Sequence, residues 1–144
     1  AFGINVEAQK EEFWQAAAGK ANYVATLDTI VDVDMTPKTR PFLQAFKARY
    51  GKAPIYTAGT YDAILLLKDA IEQAGTTDAD KLVPVMEKMS FVATAGVIEF
   101  TKGHDPVWGP GKSTGVAVQW QDGKKVGFWP PQVKGMLPFK LPAR

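Results

Sequence analysis

The stretch Thr39-Arg40-Pro41-Phe42-Leu43-Gln44-Ala45-Phe46-Lys47-Ala48-Arg49-Tyr50-Gly51, followed after Ala53-Pro54 by Ala58 to Gly75, decides how the chain is read. Thr39 or Arg40 with Pro41 behind it opens a helix, because proline fits the first helical turn. Phe42, Leu43, Phe46 and Tyr50 then fall on one face, and Gly51 closes the helix. The next helix runs from about Ala58 to Ala74 and stops at Gly75. Ile64, Leu65, Leu66, Leu67, Ala70, Ile71 and Ala74 cover more than one stripe of it, which predicts a largely buried helix.

On the N-terminal side, Phe2-Gly3-Ile4 reads as the end of a strand. Asn5 caps a helix expected over Val6 to Gly19, with Glu7, Glu11 and Glu12 near its positive end. Tyr23 to Val33 reads as extended, since its apolar residues lack helical spacing. On the C-terminal side, Asp78 caps a third helix with Leu82, Val85, Met86 and Met89 inward. From Gly96 the pattern turns to β: Val97-Ile98-Glu99-Phe100, a turn at Lys102 to Asp105, and alternation through Val116, Val118 and Trp120, then Val126 and Phe128. A three-residue loop, Gln121-Asp122-Gly123, would pair Val118 with Val126 and unite the apolar faces; it is preferred to a two-residue Asp122-Gly123 loop. Pro130 to Arg144 is too apolar for a free linker and too rich in proline for a helix, so it is expected to lie extended over a surface.

Composition narrows the function. A chain of 144 residues suffices for one domain. Its formal net charge of +2, with the basic residues scattered, carries no nucleic-acid signature. The longest apolar run, Ala63 to Leu67, is far short of the roughly 20 residues of a membrane-spanning helix. The absence of cysteine excludes a disulfide scaffold, a thiol nucleophile and a cysteine zinc site. A single histidine excludes a multi-histidine metal site within one chain. The start at Ala1, with no basic leader, reads as processed or as a piece of something longer.

Enzymatic motifs are weak. His104, Asp105 and Ser113 supply triad residue types, but no Gly-x-Ser-x-Gly elbow presents the serine. Trp108 to Ser113 lacks the first glycine of a phosphate loop. Asp28, Asp32 and Asp34 lack the spacing of a calcium loop and read as a charged connection between structural units. No catalytic residue, metal or cofactor is expected.

Three linked groups of residues carry a resemblance. The first is Phe42 to Gly51 with Pro54, Tyr61-Asp62-Ala63 and Ala70 to Gly75. The second is Gly96 to Phe100 with Gly103 and Asp105, and the third is Val118 to Lys124. In this order and spacing they resemble the C-terminal part of type I periplasmic solute-binding proteins of ABC importers, in the branched-chain amino-acid-binding (Leu/Ile/Val) family. The resemblance runs from about Phe2 to Pro130. It implies an α/β fold with a mainly parallel sheet flanked by helices and a C-terminal β-hairpin, incomplete as a single chain. It implies residues 1–33 in the second of two lobes, 34–105 in the first, and 106–144 returning to the second.

The resemblance also implies a job: extracytoplasmic binding of a branched-chain amino acid or related small organic ligand by two-lobe closure, without catalysis, for delivery to a membrane permease. The alternative is a ligand-sensing domain of the same fold in a receptor or regulator. The expected site residues are Asn5 and Glu7, in the loop where the family places a polar or acidic ligand contact, and Tyr56, where it places an aromatic. Each also has a structural reading: Asn5 as a cap, Glu7 as a partner of the helix dipole, Tyr56 as a helix-entry residue. A neutral amide at Asn5 gives up charge-assisted bonding to an ammonium, so a carboxylic acid or amide ligand stands beside leucine. Open sheet edges and exposed apolar surface predict a companion fragment of the same precursor, or self-association.

Overall fold

The computed structural model describes residues 1–55 and 57–143. The chain builds two parts, each around its own apolar cluster. One is a three-stranded sheet from β1 (Ala25–Asp28), β4 (Val116–Gln121) and β5 (Lys124–Trp129), in the order β1-β4-β5. The other gathers α2 (Thr39–Tyr50), α3 (Thr57–Ala74) and α4 (Ala79–Met86) beside the short hairpin of β2 (Phe91–Val92) and β3 (Val97–Ile98).

The sheet part is held by β4, which is buried along its whole length. Val116 and Val118 pack with Val31 and Val33. Further along the same strand, Trp120 packs with Ala8 and Ala21, flanked by Phe13 and Trp14. Trp120 Nε1 donates to Ala8 O at 2.8 Å, so the indole is both buried and satisfied.

That demand explains a departure from the expected helix over Val6 to Gly19. The segment splits into a 3₁₀ turn at Glu7–Gln9 and a short α1 (Phe13–Ala16). Lys10 is extended (φ −77°, ψ 144°), which breaks the helix but lets Ala8, Phe13 and Trp14 all reach Trp120.

The sheet also corrects the expected strand orientation. All named strand pairs are antiparallel. Parallel pairing is confined to isolated bridges such as Phe2 with Ala25. For β4 and β5 the physical reason is connectivity: a parallel pair needs a crossover of a dozen or more residues, whereas a tight hairpin joins these two.

The hairpin loop differs from expectation too. It has two residues, Asp122 and Gly123, with φ of 52° and 82°, as a tight type I′-like turn requires. Trp120 therefore faces Lys125, and Val118 faces Gly127. Uniting the apolar faces is unnecessary because β4 is buried on both sides. The space over Gly127 is filled by Met136 and Val31, whose atoms lie 2.6 and 2.9 Å from where a Cβ would stand.

The C-terminal tail follows its predicted course. Lys140 N donates to Gln119 Oε1 at 2.9 Å, and Gln121 Nε2 donates to Pro138 O at 2.9 Å. Phe139 packs on Phe128, with ring centroids 5.0 Å apart. Two buried glutamines thus act as side-chain anchors for a segment that has no helix or strand of its own.

In the helical part, α2 ends on left-handed Gly51, and Asp78 Oδ1 accepts from Asp80 N at 3.0 Å to cap α4. Leu66 packs with Phe91 and Ala93. The helix α3 is less buried than its composition predicts. Leu66 and Ala70 are buried, but Ile64 is 62% exposed and Leu67 44%. The extra apolar stripe faces outward, continuous with an apolar groove of about 710 Å³ between α2 and α3 that Phe42, Phe46, Tyr61 and Ile64 line. No helix among the described residues is long and apolar enough to cross a membrane.

Candidate functional site

The loop after the Phe2 bridge joins the sheet part through its backbone. Asn5 N donates to Thr26 Oγ1 at 2.8 Å, and the hydroxyl donates on to Asn5 O at 3.2 Å. The Asn5 side chain is exposed, and its Oδ1 accepts from Glu7 N and Ala8 N at 3.1 and 3.3 Å. Asn5 is thus a cap in geometry, and what its side chain still offers outward is an NH₂ group, a donor. Glu7 lies beside it, exposed and paired with Lys10 Nζ at 2.7 Å. Tyr56, the third expected site residue, lies outside the described residues. The residues flanking it do connect the two parts: Thr29 Oγ1 donates to Ile55 O at 2.7 Å, and Ala53 N donates to Glu11 Oε2 at 3.2 Å.

Two cavities lie between the parts. One of about 220 Å³ is lined by Thr29, Gly59, Asp62, Trp108 and Thr114. The larger, about 510 Å³, has Ile30, Trp120 and Lys125 on the sheet side and Leu43, Lys47 and Pro54 on the other. Charged pairs frame it: Arg40 Nε is 3.0 Å from Asp34 Oδ1, and Lys47 Nζ is 3.5 Å from Glu11 Oε1.

Beneath this loop sits a buried ion pair that the sequence reading missed. Lys125 Nζ is 2.5 Å from Asp28 Oδ2 and also donates to the carbonyl of Gln9. Gln9 in turn donates from Nε2 to Leu27 O at 2.7 Å. Burial raises the Asp28 carboxyl above its ordinary value, opposed by Lys125. The sequence marks Asp28 only as one of three nearby acids, and nothing local links it to a lysine 97 positions on.

Asp62 has a similar role in the other part. Read from the sequence as a first-turn acid, it is instead buried, its carboxylate accepting from Thr94 N at 3.0 Å and from Thr94 Oγ1 at 2.6 Å. The same loop is held from α2, where Thr39 Oγ1 donates to Thr94 O at 2.6 Å. These buried carboxylates fix the framework around the cleft.

The triad types do not assemble a buried site at His104. Its ring is exposed in a turn, with Nε2 2.8 Å from Glu87 Oε1. Among the described residues no group of three or more His, Asp or Glu could hold a metal.

With this geometry, comparison with known families is decisive: the model for the periplasmic binding proteins matches residues 5–125. The chain belongs to the periplasmic binding protein family. Solved structures agree on the fold. A leucine-binding protein of Thermotoga maritima superposes with a TM-score of 0.68 at 22% identity, over 89% of this chain and 35% of its own length. The branched-chain amino acid transporter substrate-binding protein of Streptococcus pneumoniae, solved with isoleucine, gives 0.61 at 24% identity, over 80% and 32%. A solute-binding protein of a Rhodopseudomonas palustris ABC transporter, solved with benzoate, gives 0.61 at 21% identity, over 87% and 34%. This periplasmic binding protein segment spans about a third of the length of the structures it matches. Curated protein sequences give no match. The type I fold expected from the sequence, incomplete within these residues, is thereby found.

Proposed function

We propose that the chain forms part of the substrate-binding component of an ABC importer, working outside the cytoplasm without catalysis and passing its ligand to a membrane permease. Residues 1–33 and 106–144 belong to one lobe and 34–105 to the other. The separate apolar clusters of the sheet and helical parts support two lobes, although Pro106 and Lys112 still bridge to the β3 region of the helical part before the chain returns to the sheet. The ligand draws the lobes together by contacting both, and the permease reads the closed form.

The ligand class follows from Asn5. Its Oδ1 is occupied by the Glu7 and Ala8 amides, leaving a donor NH₂ facing outward. A donor suits a carboxylate or carbonyl better than an ammonium. Glu7, the one nearby acid that would suit an amine, is engaged by Lys10. An amine-free carboxylic acid, aliphatic or aromatic, is the ligand favoured over a branched-chain amino acid; the benzoate held by the Rhodopseudomonas palustris protein is of that class. Tyr56 is the aromatic ligand contact that the family resemblance implies.

The open apolar stripe of α3, with Ile64 and Leu67, is covered by a companion segment that completes the first lobe. Its support is the chain's one-third share of the related folds and the exposure of residues that composition marks as core.

A calorimetric titration of the purified protein with benzoate, isovalerate, leucine and isoleucine tests the reading. Saturable binding of a monocarboxylate in preference to its amino-acid counterpart supports it. Preference for the amino acids would keep the transporter and overturn the ligand class. No binding to any of the four by folded protein would overturn the function.

A further inference from the structure

The helix α2 has two different faces. Phe42, Phe46 and Tyr50 form the apolar one, their rings in contact at 5.8 and 4.5 Å. Arg40 and Lys47 lie two turns apart, about 10 Å along the axis, and both reach across to the sheet part or the connection leading from it. Arg40 Nε is 3.0 Å from Asp34 Oδ1 and 3.5 Å from Asp32 Oδ1. Lys47 Nζ is 3.5 Å from Glu11 Oε1, while Glu11 Oε2 takes the Ala53 amide at 3.2 Å. Both cations that reach these acids are on α2, and Glu11 and Asp32 face them from the sheet side and its connection, while Lys124 and Lys125 line the same cavity from the sheet. Leu43, between the two basic residues, lines the 510 Å³ cavity that Ile30 and Trp120 close from the sheet side.

We propose that this basic stripe of α2 is a ligand-independent closing face, in which Glu11 is the latch that Lys47 and the Ala53 amide hold. The inference rests on the two-lobe reading above and deepens it by naming what sets the spacing of the lobes before ligand arrives. Each pair is solvent-accessible, and one such pair alone contributes little. The Arg40 and Lys47 ends of the seam are separated by more than the Debye length of about 8 Å at physiological salt, so the Lys47–Glu11 pair with its Ala53 bond carries the latch. An exposed pair of this kind biases the closed-to-open ratio by about two- to fivefold, and apparent ligand affinity follows that ratio. Glu11 matters most for lobe spacing. Asp32 and Asp34 belong to the connection leading directly into α2, whereas Glu11 meets Lys47 and Ala53 from a distant point in the chain.

The absence of cysteine makes the test clean. Spin labels at Lys20→Cys and Lys88→Cys, both exposed and one in each part, report the spacing by pulsed dipolar spectroscopy without ligand. Glu11→Lys and Lys47→Glu are each expected to lengthen and broaden the distance distribution, and the charge swap Glu11→Lys/Lys47→Glu to restore it. Salt near 1 M, where the Debye length is about 3 Å, should act on the wild type as the single reversals do. Glu11→Gln, which keeps an acceptor for the Ala53 amide, should fall between; it covers the case of a reversal that does not fold. Distributions unchanged in Glu11→Gln and in high salt, or a swap no better than the single reversals, would overturn the proposal. Because the distances are read without ligand, an absence of ligand binding would defeat the functional reading and leave the latch standing. Normal ligand binding with unmoved distances would defeat the latch alone.

Discussion

Lys125 on β5 bonds Asp28 at the end of β1 across 2.5 Å, although β4 lies between their strands in the sheet. Both side chains are largely out of solvent, and the same ammonium holds the Gln9 carbonyl at the end of the 3₁₀ turn. The pair therefore couples three elements: β1, the outer hairpin strand β5 and the 3₁₀ turn Glu7–Gln9 that follows Asn5.

Removing one partner of such a pair leaves the other charge buried alone. Lys125→Met is expected to cost about 3–5 kcal/mol, measured by urea denaturation. Asp28→Asn, which removes the other charge but keeps an acceptor for Lys125, should cost less. Equal and negligible losses would show the pair to be incidental.

Asp62 gives a pH dependence. Burial raises its carboxyl above the ordinary 3.8, against the lowering effect of its Thr94 bonds. The folded state then holds its proton to higher pH than the unfolded chain. That contribution is fully present below the unfolded value and lost as pH rises through the folded one. The stability of wild type relative to Asp62→Asn should therefore increase as pH falls from about 7 towards 4, read as the difference between thermal midpoints. A difference that shrinks on acidification would contradict this account.

Gly127 and Gly123 report the hairpin register. An alanine at Gly127 would meet Met136 and Val31, costing about 1–3 kcal/mol by overpacking, and Gly127→Ala/Met136→Ala should recover part of the loss. Gly123→Ala should cost about 1–2 kcal/mol from its left-handed backbone. Under a three-residue loop Gly127 would not face Val118, and the Met136 rescue would be absent.

The outward stripe of α3 predicts association. Ile64→Glu should leave the thermal midpoint almost unchanged, since surface changes rarely exceed about 0.5 kcal/mol, while removing apolar area from the proposed contact with a companion segment. Sedimentation velocity should show weaker association in the variant. A large loss of stability in a monodisperse sample would mean that Ile64 is covered within the chain itself.

Legibility in the sequence tracked the range of the interactions. Gly51, Gly75 and Asp78 end or start helices through local backbone chemistry, so those boundaries were readable from single residues. The tail was readable because its prolines exclude regular structure while its apolar residues demand cover. The hairpin was misread because the preference for matched faces assumes a half-buried strand, and Val116 to Gln121 is buried throughout. The break at Lys10 was hidden because Trp120, far along the chain, dictates it. Asn5 was legible as a cap from its position before Glu7 and Ala8, whereas the Asp28–Lys125 pair depends on a strand order that no local pattern encodes.

The most direct test of the binding account is calorimetry of wild type and Asn5→Asp with benzoate and leucine side by side. The account predicts that wild type binds the amine-free acid more tightly and that Asn5→Asp, placing a carboxylate where a donor stood, weakens that binding by about tenfold or more while shifting preference toward the amino acid. Equal affinity of both proteins for both ligands, or no binding by folded wild type, would contradict it.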